Sequence, residues 1–330
     1  MQLRHRLAPL AVLTATALLA SGCAALEDDP VTEGTISVTA GFYPLAWTAE
    51  QIGGDHVRVT DLTRPGQDAH DAELSLANTA ELSSADLVLH SGSFQPSVAS
   101  SVKANASGAV LDVGDVITYL PVHEHEEDHD DQGHDDEGHG DEGHEDEGHE
   151  DEGHEGHDHG DEDPHFWLDP LLMADLGEAV AAELGEIAPE HADEFTRAAE
   201  ELRDDLTALD REYVERLASC ERTTVVVSHD AFGYLRRYGL TFEPVAGLSP
   251  GAEPTPAGLR HLAEVIEEEE ITTIFTETLA PTKLTEQLAA DEGIEVAVLD
   301  PVEGLTKAGE GDYFSLMRAN LEALRSANQC

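Results

Sequence analysis

Lysine is nearly missing from this chain of 330 residues: only Lys103, Lys283 and Lys307 occur. Lysine and arginine together number 17 against 70 aspartates and glutamates, a formal charge of −53. A surface this acidic repels phosphate backbones and anionic headgroups, which argues against nucleic acid or a charged lipid face as partner. Cysteine is scarce as well. The three present, Cys23, Cys220 and Cys330, form no CxxC and no Cys/His zinc spacing, so a structural zinc finger is excluded. No HExxH pair of the metalloprotease kind accompanies the four candidate ligands named below. The apolar stretch Leu7–Ala20 near the N-terminus is too short to span a bilayer comfortably.

That stretch has another use. Arg4 and Arg6 precede it, and Ala20-Ser21-Gly22-Cys23 follows, the pattern of an export signal over residues 1–22. Cys23 directly after Ser-Gly looks like a bacterial lipobox, with Leu19 one place earlier than usual, so Cys23 is the expected lipidation site and residues 23–34 a tether. In an exported protein the remaining pair, Cys220 and Cys330, is expected to form a disulfide.

What the chain has in excess lies between His123 and Asp163. These 41 residues comprise 22 acids, 10 histidines, 8 glycines and one glutamine, and Asp-Glu-Gly-His-Glu repeats three times from Asp141. Such a tract has no apolar area to offset its chain entropy and is expected to be disordered. Its histidines (His123, His125, His129, His134, His139, His144, His149, His154, His157 and His159) are candidate accessory metal ligands, because neutral imidazole suits zinc, copper and nickel and the carboxylates attract divalent ions. A purely solvating linker needs no histidine every few residues.

Around the tract, strand and helix patterns alternate. Strands are expected at 36–39, 57–62, 86–90 and 110–113, with helices at 46–52 and 75–84. After Pro170 come helices at 171–187 and about 190–219, the second long enough to serve as a strut of roughly 45 Å. The grammar then repeats: strands at 223–227, 241–245, 272–276 and 296–299, and helices at 232–238, 259–270, 281–291 and 313–326. The expected fold is therefore α/β, with two lobes, each a parallel sheet flanked by helices, joined by a long rigid helix. The N-terminal lobe would take 35–168, the connecting helices 169–220 and the C-terminal lobe 221–330.

Four candidate ligands fall where such sheets bind ligands, beyond the carboxyl ends of strands. His70 follows strand 57–62, His229 follows strand 223–227, Asp300 follows strand 296–299, and His165 opens the chain after the tract. Three imidazoles and a carboxylate form a four-coordinate set suited to zinc, and such ligands should protonate and release metal below about pH 6. Glu277, after strand 272–276, could instead serve a zinc hydrolase as its base.

Several stretches resemble a known family: Gly41-Phe42-Tyr43-Pro44, Ile52-Gly53-Gly54-Asp55, Pro65-Gly66 through His70, and Ala85-Asp86-Leu87-Val88. Pro164-His165-Phe166-Trp167-Leu168-Asp169-Pro170, Ser228-His229-Asp230-Ala231-Phe232-Gly233-Tyr234-Leu235 and Gly247-Leu248-Ser249-Pro250 continue the match in order. Together they are similar to the zinc-binding, solute-binding lipoproteins of bacterial ABC importers, a cluster that also has manganese-binding relatives. The resemblance implies that His70, His165 and His229 are ligands, with Asp300 as the late carboxylate. It implies Zn2+ as the carried ion, an ABC permease and its ATPase as partners, a monomer rather than an enzyme, and a lipid anchor on the outer face of the cytoplasmic membrane. A histidine at position 229 favours zinc over manganese. A surface zinc buffer without a transporter and a manganese receptor are the alternatives.

Overall fold

A computed structural model of the chain describes residues 34–122, 162–309 and 311–330. The export signal, Cys23 and the ten tract histidines lie outside the described residues. Two four-stranded sheets carry the fold, every strand pairing within them parallel. The first comprises β1 (Ile36–Ala40), β2 (Val57–Asp61), β3 (Leu87–His90) and β4 (Ala109–Asp112), in the order β2-β1-β3-β4. Helices α1 (Tyr43–Gly53), α2 (Leu76–Ser84) and α3 (Pro96–Asn105) make the crossovers that parallel neighbours require. Ser75 caps α2 with a reciprocal capping box to Asn78.

A short antiparallel pair follows, β5 (Leu120–Pro121) and β6 (Glu162–Asp163). The acidic tract thus ends earlier than its composition implied: Glu162 and Asp163 are paired backbone, and Asp163 is buried. Tyr234 closes this join. Its hydroxyl accepts from Leu120 N and donates to Asp163 O, each at 3.0 Å.

Then come α4 (Pro170–Ile187) and α5 (Ala192–Leu217), which pack against each other. The 26-residue α5 buries Phe195, Ala199, Leu202, Leu206, Leu209, Tyr213 and Leu217, a three–four spacing that lays one apolar stripe on its neighbours. The second sheet comprises β7 (Thr224–His229), β8 (Thr241–Ala246), β9 (Thr273–Thr276) and β10 (Glu295–Val298), in the order β10-β9-β7-β8. Its crossovers are a 3-10 helix at Gly233–Tyr238, where an α-helix over 232–238 was expected, then α6 (Pro256–Glu268) and α7 (Lys283–Glu292). Helix α8 (Tyr313–Asn328) closes the chain.

One apolar core runs through both lobes, from Val38 and Leu89 of the first sheet to Val225 and Phe275 of the second. Trp167 is its pivot. It lies against Phe42 and Phe94 with ring centroids 4.9 and 4.8 Å away, donates Nε1–H to Pro301 O at 2.6 Å, and accepts from Tyr313 at its own carbonyl. In each sheet the strand order reverses beside the first strand.

Cys220 and Cys330 are disulfide-bonded across 110 residues, and Glu221 N and Arg222 N both donate to Asn328 O beside the bond. A closed loop of that length restricts the unfolded chain by roughly 4–5 kcal/mol in the chain-entropy treatment. Replacing both cysteines by serine should lower unfolding free energy by about 2–5 kcal/mol in denaturant titration. The same variant should keep its metal affinity, because the bond joins elements remote from the centre described next.

Candidate metal centre

His70, His165, His229 and Glu303 offer one ligand atom each, all within 4.8 Å of one another. The three ring centroids form a nearly equilateral triangle with sides of 5.4, 5.5 and 5.5 Å. His165, His229 and Glu303 are buried and His70 nearly so.

Each residue arrives by a separate device. His70 ends the loop after β2, and its N–H donates to Asp68 Oδ1 at 2.8 Å. Gln95, buried after β3, holds that loop by donating to Ala69 O at 2.8 Å, and Phe94 packs edge-on to the His70 ring. His165 repeats the turn: its N–H donates to Asp163 Oδ1 at 3.0 Å, and the same oxygen lies 2.8 Å from its Nδ1. Nδ1 is thereby held as a donor, and Nε2 points at the cluster, 3.4 Å from His70 Nε2. Gly233 makes room for this carboxylate, since a Cβ there would overlap Asp163 Oδ2.

His229 is the last residue of β7. The β7–β9 register pairs Val227 with Phe275, so two residues further His229 stands beside Glu277. Glu277 Oε1 lies 2.6 Å from His229 Nδ1 and also accepts from Ser228 Oγ. His229 Nε2 is left buried without a hydrogen-bond partner among the described residues, aimed into the cluster. A carboxylate on the outer nitrogen of a metal-binding imidazole fixes its tautomer and raises its basicity. Glu277 is thus engaged through Oε1 with both His229 and Ser228.

The carboxylate that converges with the three histidines is Glu303; Asp300, the one expected from the sequence, is not in that group. Glu303 Oε2 lies 3.2 Å from His70 Nε2. Asp300 is consumed in shaping the loop that presents it. Its Oδ1 accepts from Val302 N at 2.8 Å, its Oδ2 accepts from Thr278 Oγ1 at 3.0 Å, and Asn320 bonds both its backbone groups. Val302 sits at φ +59, an unusual conformation for a β-branched residue, which costs on the order of 1–3 kcal/mol and turns the chain inward. The first-lobe loop grips this turn from the other side: Gly66, at φ +84, donates to Leu305 O at 2.7 Å.

The electrostatics follow from burial. His70 is pushed down to about 4 by burial and by the His229 ring, so it stays neutral across the neutral range. Burial would lower His229 too, but the Glu277 charge and hydrogen bond, with Glu303 further off, outweigh it and raise the ring. Glu277 is held low: burial alone would raise it, and His229 more than compensates. Glu303 is raised well above the usual carboxylate range, first by burial.

These features define a two-lobed α/β fold with a buried pocket of three imidazoles and one carboxylate. The chain belongs to the zinc-uptake complex component A family (ZnuA, periplasmic), whose model matches residues 38–327. Zinc-binding lipoprotein AdcA of Streptococcus pneumoniae serotype 4 is 31% identical over 321 residues, covering 93% of this chain and 60% of AdcA. The chain therefore spans about 60% of the length of that relative. The high-affinity zinc uptake system protein ZnuA of Bacillus subtilis is 29% identical over 297 residues, covering 88% and 87%. Among solved structures, a ZnuA crystal structure superposes with a TM-score of 0.72 at 26% identity, over 89% of this chain and 99% of that one. Zn(II)-bound AdcA of Streptococcus pneumoniae gives 0.70 at 26%, over 90% and 58%.

Two predictions separate the roles at the centre. Asp300→Asn keeps the acceptor for Val302 N and should leave zinc affinity within a few-fold of the parent, whereas Glu303→Ala should weaken it by at least roughly tenfold. Equal losses in competitive titration would restore Asp300 as the ligand. The second concerns pH. A metal must displace the protons held on Glu303 and His229, groups whose affinity for protons is raised, so zinc affinity should rise with pH. His70 should add to the slope only below about pH 5, lower than an ordinary histidine. Calorimetry in buffers of different ionisation enthalpy should show proton release on binding, and Glu303→Gln should release about one proton fewer.

Proposed function

We propose that this protein is an extracytoplasmic receptor that captures Zn2+ at His70, His165, His229 and Glu303 and delivers it to an ABC permease powered by its ATPase. The observation that carries this reading is the orphaned His229 Nε2 in a pocket where two further imidazoles and a carboxylate converge. Three nitrogens and one oxygen favour zinc over manganese, which prefers more carboxylate and water. The zinc-binding names of the relatives support the same ion. On this reading the protein is a receptor rather than an enzyme. It is exported and held by a lipid on Cys23, and the lipoprotein name of the AdcA relative supports the anchor. Among the described residues no helix is long and apolar enough to cross a membrane.

The tract histidines then act as collectors. The domain scheme that goes with this is a signal over 1–22, a tether to 34, an N-terminal lobe interrupted by the tract, connecting helices and a C-terminal lobe from 221.

Competitive titration against zinc and manganese tests the reading. Deleting residues 123–161, which spares Glu162 and Asp163, should lower zinc stoichiometry and leave one tight site with weak manganese binding. His229→Ala should abolish that site. Tight binding that vanished with the tract would make the protein a buffer instead. Uptake of labelled zinc by a deletion strain should return with the parent gene and not with His229→Ala.

A further inference from the structure

A second group of donors stands on the surface, away from the pocket. His56 lies in the 3-10 turn Gly54–His56 that leads into β2, while His191 and Glu194 stand at the corner between α4 and α5. Their ligand atoms also lie within 4.8 Å of one another. Glu194 Oε2 is 3.2 Å from His56 Nε2, and Glu194 Oε1 is 3.2 Å from His191 Nδ1. The two imidazoles stack at 3.9 Å with planes 28° apart. Buried Phe195 backs both rings, 5.8 Å from His56 and 6.2 Å from His191.

A tetrahedral ion with bonds of about 2.0–2.1 Å sets its ligand atoms roughly 3.4 Å apart. The carboxylate-to-ring distances already match that edge. The donors come from two separate chain segments, so their convergence is tertiary and not a helical repeat. Rings fixed against a buried phenylalanine lose little freedom on binding. Asp55, Glu190 and Asp193, each next in sequence to one of the three, are exposed and leave the corner negative.

The geometry points to His56, His191 and Glu194 as a second site for a borderline divalent cation of the zinc, copper and nickel kind, open to solvent and separate from the buried pocket. The ion takes the place between carboxylate and rings. Each ring keeps one proton, moved to its other nitrogen, so no oxidant or net proton acceptor is needed. With both rings about one-third exposed, water completes the coordination and exchange is fast. Binding fastens the first lobe to the helical corner.

Because the tract and pocket also take metal, the test must be resolved by residue. Full-length protein is treated with diethyl pyrocarbonate at increasing zinc, and carbethoxylation is read by peptide mass spectrometry at His56 and His191. Zinc should slow both by roughly tenfold or more with one shared midpoint, and a chelator should reverse it. His191→Asn should remove the protection of His56, and Glu194→Gln should shift the midpoint upward by at least roughly tenfold. His56 protected equally in His191→Asn would mean isolated imidazoles and overturn the shared site. So would unchanged reactivity of both rings while tract histidines become protected. All three side chains are partly exposed, and a native circular dichroism spectrum for each variant keeps loss of fold apart from loss of site.

Discussion

Three imidazoles cannot be packed into one buried pocket unless something fixes their protons. Ionised together they would repel in a medium that screens poorly, and free to choose tautomers they would donate to one another and close the centre. Asp163 and Glu277 resolve this by engaging the outer nitrogens of His165 and His229, 2.8 and 2.6 Å away. The Nε2 atoms then face a common point, and that of His229 is buried without a hydrogen-bond partner among the described residues. A buried polar nitrogen so placed costs about 1–3 kcal/mol. A cation repays that cost, and a neutral solute without donors does not.

The fold serves this constraint. Glu277 reaches His229 because β9 and β7 are neighbours at a strand-order reversal, and Gln95 reaches the His70 loop from the end of β3, the neighbour of β1 at the other. Trp167 joins these neighbourhoods by its contacts with Phe42 and Phe94 on one side and its bonds to Pro301 and Tyr313 on the other. One apolar core runs beneath both sheets, so wide rotation of the lobes would expose large aromatic side chains.

Much of this was legible in the residues. The alternation of strands and helices, the long amphipathic α5 and the three histidines could be read because each depends on local pattern and chain order. Helix α3 was not foreseen: its buried residues are only Val98 and Val102, set among serines, too weak an apolar period to register. Glu303 was missed for a geometric reason. Asp300 and Glu303 both follow β10, and only the left-handed turn at Val302 decides which points inward. Asp163 looked like one more acid in a solvated tract. A signal was available all the same, since Asp68-Ala69-His70 and Asp163-Pro164-His165 share a spacing in which the aspartate accepts from the histidine N–H.

That spacing also explains how the tract and the pocket relate. Strands β5 and β6 pair Pro121 with Glu162, so the chain leaves for the tract and returns from it at one place. The next residue, Asp163, orients His165, and Tyr234 pins both strands to the second lobe. Any ion held between residues 123 and 161 is therefore tethered within a short length of chain from a ligand of the pocket. A tether of this kind raises the local concentration of what it carries without adding a contact. In the collector role proposed for them, the histidines there would need only to hold zinc weakly, because an ion bound tightly on the tract would not move on.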